Sequence, residues 1–231
     1  MKDEAPAPPP IRDAATIVLV RDGGTDRARV LMGQRGAGAV FMPSKYVFPG
    51  GAVDPGDRSV TPAAPLPEAE RRRLVQLPVT KTAPTPEAMA AAAVRELWEE
   101  AGLMLGRPGE WQGEAPADWA DFASAGMLPA GDCLRFVFRA VTPTGRPRRF
   151  DARFFLARAE DLAGDPDDFS RATDELSHLH WIGLAEARAL DLPFITEVVL
   201  AEAEAVLREG PQDSVPFFDN SGPESMFRRI A

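Results

Sequence analysis

The stretch from Thr85 to Gly102 constrains the fold more than any other. Thr85-Pro86 is a helix start, because a threonine side chain caps the first turn and proline suits the first helical position. Gly102 is a helix stop, because glycine tolerates the left-handed backbone that ends a helix. The signals predict one helix over about residues 86–101. Its second half runs Arg95-Glu96-Leu97-Trp98-Glu99-Glu100-Ala101-Gly102-Leu103. At about 100° per residue, Glu96 and Glu100 lie one turn apart and Glu99 joins them. Val94, Leu97, Trp98 and Ala101 fall on the other side and can face a core. Three like charges on one stripe repel, and a divalent cation removes that penalty. Mg²⁺ and Mn²⁺ take carboxylate and water oxygens. A bare Glu-x-x-Glu-Glu is most often a solvated face. Arg95 in front of it, Gly102 behind it and Phe48-Pro49-Gly50-Gly51 upstream move the reading towards a metal site.

Taken together, these residues resemble the Nudix box, G-x5-E-x7-R-E-U-x-E-E-x-G-U with U a bulky aliphatic residue. The second half of the box is matched at every fixed position. The resemblance implies a hydrolase that uses Mg²⁺ or Mn²⁺ to cleave a diphosphate linked to another group. The first half departs from the pattern. Counting forward from Gly51 brings Asp57 to the box's first acid; counting back from Arg95 brings Glu87 to it. Lys81 stands where an uninterrupted box has glycine. An insertion over about residues 58–84 explains both counts, and the residues leave the choice between Asp57 and Glu87 open.

The chain has 231 residues and 45% apolar content, enough for one α/β domain with extensions. A net charge of −9 argues against nucleic acid as a bulk partner. The single cysteine, Cys133, precludes an internal disulfide and reads as a structural thiol, which suits a reducing cytoplasm. No apolar run approaches a membrane span, and the acidic, Pro-containing start is not a signal peptide.

Residues 1–12 read as a flexible Pro-rich tail, 13–208 as the domain, and 209–231 as a C-terminal extension. Strands are expected at 15–20, 29–34, 46–48, 134–141, 152–157 and 179–182. Helices are expected at 67–77 within the insertion, 118–125, 184–190 and 195–208. The irregular alternation suits a mixed sheet between helices. The resemblance implies the Nudix α/β/α sandwich. Leu31-Met32-Gly33-Gln34-Arg35, Phe41-Met42-Pro43 and Arg148-Arg149-Phe150-Asp151-Ala152-Arg153 are similar to the branch of that family containing coenzyme A and acyl-coenzyme A diphosphatases.

From the resemblance, Glu96, Glu99 and Glu100 are expected to bind metal, with the Gly51 carbonyl beside them. Arg95 would orient these acids by ion pairing. Glu99 and Glu100 count among the catalytic groups, and Glu175 is the candidate base from a separate loop, with Asp174 next to it. Arg148 and Arg149, with Arg153 in the following strand, are expected to read a substrate phosphate. Arg71-Arg72-Arg73 is better explained by pairing with Glu68 and Glu70 on one helix. His178 and His180 are expected on one strand face without metal. The expected partner is a small-molecule diphosphate, with coenzyme A or acyl-coenzyme A first. ADP-ribose, nucleotide sugars and nucleoside triphosphates are the rival substrates. A non-catalytic ligand-binding module on the same scaffold is the rival of another class; such modules usually lose box acids, which this chain keeps.

Overall fold

The computed structural model describes residues 9–231. In chain order its strands and helices begin with β1 (Ile11–Arg21), β2 (Arg29–Arg35), β3 (Tyr46–Val47) and β4 (Gly50–Ala52). The insertion follows with α1 (Glu68–Leu74), then the long helix α2 (Pro86–Ala101). After it come β5 (Gly106–Pro108), α3 (Ala120–Ser124), β6 (Met127–Pro129), β7 (Arg135–Val141) and β8 (Arg149–Arg158). The chain closes with β9 (Leu176–Gly183), α4 (Leu184–Ala187), α5 (Phe194–Glu209), β10 (Val215–Asp219) and β11 (Met226–Ile230).

The main sheet runs β11-β10-β7-β8-β1-β2-β3, with β4 added on β1 and β9 on β2. It is mixed: β1 pairs parallel with β8 and antiparallel with β2 and β4. Side chains alternate across it and feed two cores. Ala15, Ile17, Leu19 and Phe155 pack towards α2, whereas Val18, Val20, Phe154 and Leu156 pack towards α5. The sheet is therefore the middle layer of an α/β/α sandwich, as expected. α2 lies close to β1 because its inner face is small: Ala90, Ala92, Ala93 and Ala101 are all buried.

The tail assigned to residues 1–12 lies mostly outside the described residues, and Ile11 already begins β1. The C-terminal segment is part of the sheet. β10 pairs parallel with β7 and antiparallel with β11. Pro216 lies inside β10, and the ladder to β7 includes only Phe217 and Phe218, which accommodates a residue with no N–H to give.

The insertion also belongs to the core. Val60, Leu66 and Leu74 are buried in the cluster that contains Leu97 and Phe155. Arg73 donates to the Gln212 carbonyl at 2.9 Å, and Arg139 donates to the carbonyls of Gln76 and Leu77 at 3.0 and 3.1 Å. The ion pairs expected along α1 are present, Arg71–Glu68 at 3.1 Å and Arg73–Glu70 at 3.8 Å. Leu66→Ala and Leu74→Ala should each lower unfolding free energy by about 2–5 kcal/mol, the usual cost of a buried leucine cavity. Urea titration checks this; losses well under about 1 kcal/mol would mean that the insertion only decorates the surface.

Candidate active site

The site is assembled at the second half of α2. The Thr85 side chain accepts from the Ala88 N–H at 3.2 Å, and Gly102 ends the helix at φ 70°. Both boundaries are those the sequence predicts. The helix places Arg95 inward, 3% exposed, among carboxylates. Its guanidinium donates to both oxygens of Asp57 at 3.0 and 3.1 Å, to Glu96 at 3.0 Å, to Glu99 at 2.8 Å and to the Ala52 carbonyl at 2.9 Å. The choice left open by the sequence is thus resolved in space. Asp57 is buried on Arg95, whereas Glu87 faces outward and pairs with Arg71 at 2.7 Å.

β4 forms the opposite wall. Gly50 presses on β1, where an added Cβ would stand 2.5 Å from Thr16 Oγ1. Its N–H donates to Glu100 Oε2 at 2.7 Å. At Gly51 a Cβ would stand 2.4 Å from Glu96 Oε1, so only glycine leaves that carboxylate its place. The Gly-Gly pair therefore does more than turn the chain. It admits two acids against the backbone, and the role of the Gly50 N–H was not read from the sequence.

The electrostatics follow from three carboxylates gathered on one guanidinium, with Glu100 beside them. Burial opposes ionisation of Arg95, but its pairs with Asp57, Glu96 and Glu99 outweigh it and hold the group charged. Burial pushes the Glu96 carboxyl up to about 7; Arg95 opposes the shift, and the charges of Glu99 and Glu175 add to it. Burial likewise raises Glu99. Glu100 is raised well above the usual range, by burial first and then by Glu96, against the Gly50 N–H and Arg35. Glu175 is exposed at the start of β9 and close enough for its charge to act on both Glu96 and Glu100. The loop carrying it is anchored to the helix end by Thr173 N–H donating to the Glu99 carbonyl at 3.3 Å. Asp118 adds negative charge near Glu99 and Arg35 adds positive charge near Glu100. The sequence gives no local signal for either, because each arrives from a distant segment.

Among the described residues, no three His, Cys, Asp or Glu side chains already form a metal-holding group. The acids lean instead on what is present: Glu96 and Glu99 on Arg95, Glu100 on the Gly50 N–H. The donor set nevertheless fits a hard divalent cation. The ligand oxygens are carboxylates, the buried negative charge exceeds the one guanidinium, and the outer acid Glu99 keeps 37% of its side chain exposed.

Two of the arginines expected at a substrate phosphate are committed elsewhere. Arg149 is buried and donates to the carbonyls of Thr142 and Asn220. Arg153 is buried between Asp13 and Asp151, and Asp151 also takes a two-pronged pair from Arg139 at 2.7 and 2.8 Å. These charges hold β1, β7 and β8 together and cannot be withdrawn cheaply. Arg148 alone of the three is exposed. His180 packs its ring on Tyr46 and bonds the His178 carbonyl, and His178 sits at φ 51° beside a bulge opposite β2. Cys133 is a half-buried thiol pushed up to about 12 by burial, as a structural cysteine should be.

The fold and the sequence have counterparts in known proteins. A crystal structure of a Nudix hydrolase from Alicyclobacillus acidocaldarius superposes with a TM-score of 0.62 at 27% identity, over 88% of this chain and 95% of that one. The fold is that of the Nudix hydrolases. Putative nudix hydrolase 7 of Caenorhabditis elegans is 32% identical over 184 residues, covering 74% of this chain and 51% of that protein. Acyl-coenzyme A diphosphatase NUDT19 of Gallus gallus is 28% identical over 236 residues, covering 76% of this chain and 62% of that protein. The chain thus spans between about half and three-fifths of the length of these curated relatives. No family model matches it. Sequence and structure agree on the Nudix fold, and the relatives that this chain resembles include an acyl-coenzyme A diphosphatase.

The raised acids give this site a pH signature. A carboxyl whose folded-state pKa lies above its unfolded value stabilises the fold below the unfolded pKa and loses that contribution as pH rises through the folded one. For Glu96 the window runs from 4.5 to about 7. Without metal, the wild type should therefore lose stability across that window relative to Glu96→Gln, by on the order of 3 kcal/mol. Chemical denaturation in EDTA at several pH values measures it. Parallel curves for the two proteins would contradict the burial of Glu96 beside its neighbours.

Proposed function

We propose that this chain hydrolyses a diphosphate linkage in a Mg²⁺- or Mn²⁺-dependent reaction, with coenzyme A or acyl-coenzyme A as substrate. The observation that carries the proposal is the face formed by Glu96, Glu99 and Glu100, set against Gly50-Gly51 and organised by Arg95. Glu96, Glu99 and Glu100 would hold the cation, with the Gly51 carbonyl beside them. When bound, the cation supplies an activated water and neutralises the diphosphate oxygens.

The chain's own residues do the rest. Arg95 fixes the rotamers of Glu96 and Glu99 and keeps Asp57 from repelling them. The Gly50 N–H holds one oxygen of Glu100 and leaves the other free. Glu175, exposed and near Glu96 and Glu100, would accept the proton of the attacking water. Attack at phosphorus joins the water oxygen to one phosphate and expels the other. From coenzyme A the products are phosphopantetheine and 3′,5′-ADP.

The substrate class is supported by the similarity to an acyl-coenzyme A diphosphatase and by the segments around Arg35 and Phe41 that resemble that branch. Arg148 is the remaining candidate among the three arginines for contact with a substrate anion. A cytoplasmic setting rests on the lone cysteine.

Glu99→Gln and Glu100→Gln should each lower kcat by about 10²-fold or more, comparable to removing one preorganised electrostatic contact. Glu100→Gln should melt at or above the wild-type temperature without metal, since it replaces a carboxyl whose charged form burial and Glu96 disfavour. The assay compares coenzyme A, acyl-coenzyme A, ADP-ribose and dinucleoside polyphosphates. Wild-type turnover in excess EDTA sinks the metal dependence, and faster cleavage of ADP-ribose than of any coenzyme A species sinks the substrate.

A further inference from the structure

The segment 162–175 between β8 and β9 ends at Glu175, and its path crosses the end of α2. Its first part is tied to the frame of the sheet. The Ala163 N–H donates to the Met104 carbonyl at 2.8 Å, Trp181 Nε1 donates to the Pro166 carbonyl at 3.0 Å, and Arg21 pairs with Asp167 at 2.8 Å. Its second part lies directly on the helix cap. A Cβ at Gly102 would stand 2.9 Å from Arg171 Cβ and 3.0 Å from the Ala172 nitrogen, so the glycine that ends α2 also admits the segment. There the Arg171 guanidinium lies over the Trp98 ring, 5.4 Å from its centre. Trp98 Nε1 donates to Asp121 Oδ2 at 3.2 Å, and Arg171 Nη1 stands 3.9 Å from the same oxygen. One carboxylate of α3 thus meets both members of the stack, and Trp98 also meets Phe122 edge-on at 6.1 Å.

We propose that Arg171 is a positioning residue: clasped on Trp98 and Asp121, it fixes the loop that presents Glu175 to the reacting water. The inference rests on the reading of Glu175 as the base. Glu175 is exposed, and among the described residues no ion pair or side-chain hydrogen bond engages its carboxylate. Its place is therefore set by the chain on either side. After it, Leu176 is buried opposite Arg35 and against Gly33. Before it, the Thr173 N–H reaches the Glu99 carbonyl at 3.3 Å, a long bond at an exposed residue that holds little alone. The Arg171 clasp reinforces that bond from the same stretch of loop. Trp98 adjoins Glu99 in α2, so the clasp ties the loop to the helical turn that carries Glu99 and Glu100. The Arg171–Asp121 pair is exposed on both sides and weak by itself. A cation over an indole face keeps its attraction at such a site. The guanidinium is engaged by these partners, so it acts on the reaction through the loop and not by contact with substrate.

The test is steady-state kinetics of Arg171→Ala, Glu175→Gln and the double variant, on whichever diphosphate the wild type cleaves fastest. Glu175→Gln should lower kcat by about 10²-fold or more. Arg171→Ala should lower kcat by about three- to tenfold, with KM within about twofold of wild type. In the Glu175→Gln background it should lower kcat no further, because no base is left to place. Arg171→Lys keeps a cation over the ring and should recover most of the loss. In EDTA, amide exchange over residues 169–175 should speed up by a similar factor in Arg171→Ala and stay near wild type in Arg171→Lys. If Glu175→Gln keeps wild-type kcat, the base reading fails and the proposal fails with it. If Glu175→Gln is impaired but the Arg171→Ala loss is absent, falls on KM, or multiplies with the first, the base reading stands and the clasp is overturned. Unchanged amide exchange in Arg171→Ala overturns the clasp as well.

Discussion

One guanidinium governs the site. Among the described residues Arg95 is the only cation bonded to Asp57, Glu96 and Glu99, and it is buried where solvent cannot share the work. A buried carboxylate without a partner is costly, and three close together are costlier. Arg95 makes the cluster tolerable by meeting each acid in hydrogen-bonding geometry. It cannot neutralise all of them, and Glu100 draws on the Gly50 N–H and Arg35 instead. The remaining imbalance is what raises Glu96, Glu99 and Glu100 together. A site in this condition favours either protons or a divalent cation, and the proposed chemistry uses the second.

That cluster depends on how closely β4 approaches α2. Gly50 and Gly51 lie on Ala15 and Thr16 of β1, and alanines of α2 bring the helix down on the same strand. In the same row of the sheet, Ala15 pairs with Arg153 of β8. Arg153, Asp151, Arg139 and Asp13 form a second buried ionic group there, and Arg139 reaches on to the insertion. The active-site strand and the insertion are therefore tied through one polar seam. This is why the insertion, which interrupts the box in sequence, does not interrupt it in space: it leaves at Asp57 and returns at Thr85, and its apolar side chains fill the core between.

What was legible in the sequence was local. Thr85, Pro86 and Gly102 each act on their own backbone, so α2 was bounded correctly. The β-branched run at Ile17–Val20 needed no distant partner to be read as a buried strand, although β1 extends further at both ends. Arg149, Asp151 and Arg153 misled for the opposite reason. Charged residues in a strand normally signal exposure, and their partners Asp13, Arg139 and Asn220 lie far along the chain. The choice between Asp57 and Glu87 was equally non-local, since only folding shows which acid meets Arg95. β10 and β11 were missed because Pro216 breaks the strand pattern of Val215–Asp219. The core role of Leu66 and Leu74 was hidden by the prolines around them.

The central claim is that Glu96, whose carboxyl burial pushes up to about 7, gives up its proton when a cation binds among the box acids. Calorimetric titration with Mg²⁺ at pH about 7, in two buffers of different ionisation enthalpy, counts the released protons directly. The account predicts saturable binding with net proton release, which shrinks as pH is raised above the Glu96 value of about 7 and is reduced in Glu96→Gln. Binding without proton release at pH about 7, or no binding at all, would contradict it.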